Sequence, residues 1–198
     1  MKNFAHLHVH SCFSFQDGAS DVEKLVRSAG ELGMDAMAIT DHNTLSAAVR
    51  FTKSAKECGI KPIHGAEVTL EDGSHLVLLA ENPKGYSNIS LILTEAYMSR
   101  DWQNTTRALE GRDAAKIREA LKRHRLQPKV YLASLEAHNE GIIALSGCMR
   151  GAVPVLIRSG RFRQALEFAR KYVAIFGADR FYIELENLCV PGNARLLS

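Results

Sequence analysis

The chain has 198 residues, 25 lysines and arginines against 22 aspartates and glutamates, a formal net charge of +3 and 46% hydrophobic residues. That length suits one domain that buries roughly two thirds of its chain surface on folding. The small charge gives no nucleic-acid or membrane footprint, and four cysteines without a C-x-x-C pair argue for free thiols against a disulfide frame or zinc ribbon. No apolar run approaches the roughly 20 residues of a membrane span. Lys2 and three histidines break up the amino terminus, so a signal peptide is not expected and a cytoplasmic location without a membrane partner is.

In chain order, the first element is "FAHLHVHSCFSFQDG", residues 4–18. Read as a strand, it puts His6, His8 and His10 on one face and Leu7 and Val9 on the other. "SDVEKLVRSAGELG" follows as a helix, with Ser20 and Glu23 in capping-box spacing and Gly33 as its stop. "DAMAIT" has strand length and runs into Asp41 and His42. A helix over about 44–57 ends at Gly59, "KPIHGAEVTL" is a strand carrying Glu67, "EDGS" is a tight turn, and "HLVLLA" is a buried strand entered through His75. "GYSNISLILTEAYM" is a helix. Residues 99–129 are polar and contain the basic stretch "KIREALKRHRLQPK", whose few aromatics favour a solvated helical insertion over a base-stacking patch. "GIIALSG" is a strand, helices follow over about 151–159 and 161–176, and "RFYIELE" is the last strand. With no linker or repeat, residues 1–198 read as a single domain. Alternating strands and helices predict a parallel sheet wrapped by helices.

In such folds ligand sites collect where strands end. His8 and His10 close the first strand, Asp17 lies in the loop after it, Asp41 and His42 follow the second, Glu67 ends the third and Cys148 follows "GIIAL". His75 begins its strand, and joins the group only if that strand runs antiparallel to the one carrying Glu67. Several imidazoles, carboxylates and a thiol at one rim form the donor inventory of a metal site, sufficient for two or three cations bridged by carboxylates. The competing enzyme reading, Cys148 as a nucleophile with a histidine base, leaves the His-x-His pair idle.

The segments "HLHVHS", "FSFQDGAS", "ITDHNTL", "GIKPIHGAEV", "HLVLLAENPKGYSN" and "IALSGCMRGAVP" together closely resemble the polymerase and histidinol phosphatase (PHP) domain found at the amino terminus of bacterial DNA polymerase III alpha subunits and their error-prone relatives. The resemblance runs from about residue 4 to the end and is broken near 99–129. It implies a distorted seven-stranded β/α barrel with up to three divalent ions at the strand ends, zinc, manganese or iron being favoured because a thiolate is a soft ligand. Carried over, it makes His8, His10, Asp17, His42, Glu67, His75 and Cys148 the metal ligands, with Glu67 and Asp17 also serving catalysis. It further implies phosphoester hydrolysis such as 3′ to 5′ proofreading, contact with DNA through a parent polymerase, and a proofreading exonuclease subunit as partner. A non-catalytic scaffold that docks this subunit and a free-standing phosphatase are the alternatives. The family's final Asp-x-His motif is expected beyond Ser198, which makes the chain read as an excised piece with an incomplete ligand set.

Overall fold

A computed structural model describes residues 4–107 and 127–185, with positions 110, 113 and 115 between them. Helix α1 (Val22–Glu31) forms where apolar residues recur at helical spacing, and it buries Val22, Val26 and Ala29. The expected capping box does not form. Asp21 is the N-cap and makes no side-chain cap, while Glu23 instead accepts two hydrogen bonds from the Arg50 guanidinium at 2.8 and 2.6 Å. Strand β1 (Ala36–Ile39) leads to α2 (Ala48–Cys58), which ends as Gly59 takes the left-handed conformation at φ 68°.

Strand β2 (Lys61–Thr69) runs parallel to β1, and β3 (His75–Ala80) returns antiparallel to β2. Helix α3 (Pro83–Met98) starts with Asn82 accepting a hydrogen bond from the Gly85 amide and Pro83 in the first turn, where a missing N–H costs nothing. The chain continues through α4 (Arg100–Arg107), α5 (Leu132–Ala137), β4 (Ile142–Leu145), α6 (Ala152–Arg158), α7 (Phe162–Phe176) and β5 (Phe181–Tyr182). Most of the basic stretch within 99–129 lies outside the described residues.

Among the described residues the sheet has five strands in the order β1-β2-β3-β4-β5. It is mixed, which corrects the expected parallel sheet and meets the condition set for His75, that its strand runs antiparallel to the one carrying Glu67: β1 with β2 and β4 with β5 are parallel, whereas β2 with β3 and β3 with β4 are antiparallel. The reason is local, since the four-residue "EDGS" turn can only join antiparallel neighbours. The expected first strand is also not a regular strand. Residues 6–9 lie beside β1 but share only two backbone bonds with it, Ala38 N–H to His6 O at 2.7 Å and Thr40 N–H to Val9 O at 2.8 Å, and Val9 N–H donates to the Thr40 hydroxyl.

Two larger cores flank the sheet. One packs Val22, Val26 and Phe51 of α1 and α2 against β1, and the other packs Leu76 and Leu78 against Ile89, Ile92, Tyr172 and Phe176 of the later helices. On the opposite face of β2 and β3, a small cluster of Ala38, Val77, Leu79 and Leu145 forms an apolar floor. Glu67 pairs with Val77 across the sheet and so stands on this floor's face, at the end nearest the β1 carboxyl terminus. Among the described residues, no helix is long and apolar enough to cross a membrane.

Candidate metal centre

Glu67 is the hub. Its side chain is only 1% exposed, and four imidazoles surround it. On one carboxylate oxygen, Oε1, the neighbours are His75 Nδ1 at 3.0 Å and His8 Nε2 at 3.6 Å, and the Cys148 thiol donates to it at 3.2 Å. On Oε2 they are His42 Nδ1 at 2.9 Å and His10 Nε2 at 3.3 Å.

The sheet builds this ring. Thr69 pairs with His75 across the antiparallel register, so His75 stands diagonal to Glu67 on the same face. The antiparallel return therefore brings in the one histidine that begins its strand. His42 is bridged to Glu67 through backbone pairing just past β1. Cys148 follows β4 by way of Gly147, whose φ of 80° and approach to His75 O leave no room for a side chain.

The loop at 11–18 positions the rest. Asp41 is buried and accepts hydrogen bonds from Ser11 N–H (2.7 Å), Ser11 Oγ (2.6 Å) and Ser14 Oγ (2.6 Å). Ser14 Oγ also accepts from the His42 amide at 3.1 Å and lies 2.9 Å from His10 Nδ1. Because its proton goes to Asp41, Ser14 accepts from His10 Nδ1–H, which leaves the His10 Nε2 lone pair facing Glu67. Glu184 does the same for His8: its Oε1 lies 2.9 Å from Nδ1 and turns Nε2 inward. Asp17 Oδ2 meets His42 Nε2 at 2.8 Å. Gly18 is required next to it, because a Cβ there would lie 1.9 Å from Ser11 O.

A cavity of about 200 Å³ is lined by His8, His10, Asp17, His42, Glu67, His75, Cys148 and Arg150. All seven residues singled out in the sequence thus meet in one place. His6 does not. It is exposed, with its ring edge-on to Phe4, because the segment bends at 7–8 and the strict two-residue alternation fails there. Sequence reading assigned no role to Arg150 or Glu184. Glu184 fell inside the expected last strand "RFYIELE", and only the end of β5 at Tyr182 places it just past a strand.

The electrostatics of the ring are strained toward a cation. Burial raises the Glu67 carboxyl, but His10, His42, His75 and His8 outweigh it and hold the carboxyl far below the usual range. Burial disfavours charge on His8, yet Glu184 and Glu67 lift it to about 10. His42 is likewise raised, Glu67 and Asp17 overcoming its burial. Asp17 is lowered by His42 first, with His10 and Arg150 adding to this.

A divalent ion fits these donors. The buried Nδ1 atoms of His42 and His75 lie within about 3 Å of Glu67 oxygens yet make no hydrogen bond, while His8 Nε2 and His10 Nε2 share one at 3.1 Å beside them. Buried ring nitrogens that face a carboxylate without hydrogen-bond geometry are what a cation would satisfy. Three overlapping triads have ligand atoms within 4.8 Å of one another: His8, His10 and Glu67; His10, Asp17 and His42; and His42, Glu67 and His75.

Fold and donor set together define the class, an α/β domain with a histidine-rich, carboxylate-centred site at its strand ends. The PHP domain family matches residues 6–187, and the chain belongs to that family. It is 48% identical over 194 residues to the error-prone DNA polymerase of Symbiobacterium thermophilum, covering 98% of this chain and 17% of that protein. It is 37% identical over 199 residues to DNA polymerase III subunit alpha of Treponema pallidum, covering 93% of this chain and 15% of that one. The chain therefore spans about a sixth of the length of these relatives. Among solved structures, a candidate metal-dependent phosphoesterase from Bifidobacterium adolescentis superposes with a TM-score of 0.57 at 18% identity, covering 98% of this chain and 80% of that one. This likeness shows the fold.

Proposed function

We propose that the chain is the amino-terminal PHP portion of a bacterial replicative or error-prone DNA polymerase, and that its site is a divalent-metal phosphoesterase acting on DNA ends. The observation that carries the hydrolytic reading is the buried Glu67 carboxylate ringed by four imidazoles, with the neighbouring thiol favouring zinc, manganese or iron. His8, His10, His42 and His75 would hold the ions, Glu67 would bridge them, and Asp17 and Cys148 would complete the donor set. Such ions supply an acidified water and positive charge for a phosphoryl oxygen. The chain supplies the rest. Ser14 and Glu184 fix which nitrogens of His10 and His8 face the ions, the apolar floor keeps bulk water from beneath Glu67, and Arg150 at the cavity wall places a cation where a substrate phosphate would enter.

The test uses single-stranded DNA with a free 3′ end. Manganese or zinc should support shortening of the strand, chelation should stop it, and Glu67→Gln, which keeps the shape and removes the charge, should lower the rate at least about a hundredfold. A fully metal-loaded protein that cleaves neither DNA nor pyrophosphate would leave the docking of a proofreading subunit as the function to pursue.

A further inference from the structure

Beside the metal centre lies a second cavity of about 410 Å³, within the roughly 300–1,000 Å³ range of small-molecule sites. It shares Asp17, His42 and Arg150 with the metal centre. Its far wall comes from the start of the polar insertion. Tyr97 at the end of α3 and Trp102 in α4 stand edge to face with ring centroids 5.5 Å apart. Its near wall is Phe15, which is 85% exposed although it is a large apolar ring two residues from Asp17. Packing does not explain that exposure. Three amides line the rim: Asn43 is tied to Thr69 through both its nitrogen and its oxygen, Gln127 accepts from the Thr69 hydroxyl through Oε1, and Gln16 stands beside Phe15, so the four rings of Phe13, Phe15, Tyr97 and Trp102 outnumber the amides that could read a base edge.

We propose that this cavity is a base-stacking subsite, in which Phe15, Tyr97 and Trp102 hold the nucleobase of a nucleoside phosphate, free or at a strand end, whose phosphate lies toward Arg150 and the metal centre. The inference rests on the phosphoesterase reading and names its substrate class. Aromatic faces bind any base, because every base has a π-face. The site therefore accepts purines and pyrimidines alike. It also gives the first part of the polar insertion a function that its charge pattern did not reveal.

Trp102 is the chain's one tryptophan, so its emission reports the site directly. Thymidine 5′-monophosphate and the octamer (dT)8 should quench it saturably. Deoxyribose 5-phosphate, which has the phosphate but no base, should not. A tighter midpoint for (dT)8 assigns a strand end, and equal midpoints assign a free nucleotide. Phe15→Ala removes an exposed ring without opening the core and should weaken the (dT)8 midpoint roughly five- to a hundredfold, the effect of one lost base–aromatic stack. Bound metal in that variant should be unchanged, and (dA)8 should match (dT)8 within about threefold.

Absence of quenching by (dT)8, equal quenching by deoxyribose 5-phosphate, or an unmoved midpoint in Phe15→Ala would overturn the subsite. These outcomes are separable from failure of the phosphoesterase reading. Quenching with Phe15 dependence but no cleavage sustains the subsite and removes the hydrolase, whereas metal-dependent cleavage without quenching does the reverse.

Discussion

Ser14 does more for the centre than any ligand's nearest neighbour in sequence would indicate. One hydroxyl donates to Asp41, accepts from the His42 amide and fixes the ring of His10. Ser14→Ala should therefore lower metal affinity about 10- to 100-fold, the usual effect of losing a group that orients a ligand. A metal titration followed by calorimetry checks this, and an unchanged affinity would show that His10 is oriented by other contacts. At this scale the sequence was legible where chemistry has few alternatives. A His-x-His pair, a buried glutamate on an apolar strand and a cysteine after a strand are all unusual enough to mark themselves. Ser14 and Glu184 were not marked in this way, because serine and glutamate are common on surfaces and their roles depend on which imidazole nitrogen they meet.

Among the elements, β2 and α2 meet at His64, whose ring lies edge-on to Phe51 and Tyr86 with centroids 5.4 and 5.6 Å away. Burial lowers its pKa. The folded protein thus binds this proton less readily than the unfolded chain, and the destabilisation it causes sets in as pH falls below about 6.5 and levels off below the folded value. His64→Phe keeps the ring and removes the titration. The stability of the variant relative to the parent should therefore rise between pH 7.5 and 5.5 in urea unfolding; a difference that stays constant would mean that His64 is not the group. This comparison cancels the opposite trend from His8 and His42, whose raised values favour the folded state in acid.

Helices α1, α2, α3, α6 and α7 were readable from apolar spacing and stops such as Gly59, and so were the four strands that pack on both faces. The first segment was misread for a physical reason. Alternation of apolar and polar residues describes a pleat only where the backbone stays extended, and here it bends at 7–8, with residues 6–9 tied to β1 and Thr40 by two backbone bonds. The Ser20–Glu23 capping box failed because Arg50, 27 residues away, offers Glu23 a charged partner that local spacing cannot reveal.

For the whole molecule, the centre joins segments that lie far apart in the chain: 8–17, 41–42, 67–75, 148–150 and Glu184. A cation there would tie these together, so metal and folding should be linked. Adding manganese or zinc at about 100 times its dissociation constant should stabilise the fold by roughly 2.7 kcal/mol, and chelation should reverse the gain. Thermal unfolding with and without metal reads this, and an unmoved Tm would place metal binding outside the folded core. The overall architecture was only partly legible. The donors could be placed at one rim from the order of strands, but the mixed sheet depended on one short turn reversing β3, and the stacking cavity depends on how α4 folds back beside the loop at 13–17.

The central claim is that Glu67 and the imidazoles around it hold divalent metal. Elemental analysis of protein purified without added metal, run on the parent chain beside Glu67→Gln and His6→Ala, tests it most directly. The parent and His6→Ala should carry the same stoichiometric zinc, manganese or iron, since His6 lies outside the ring, and Glu67→Gln should lose most of it. Equal metal in Glu67→Gln and the parent would contradict the account.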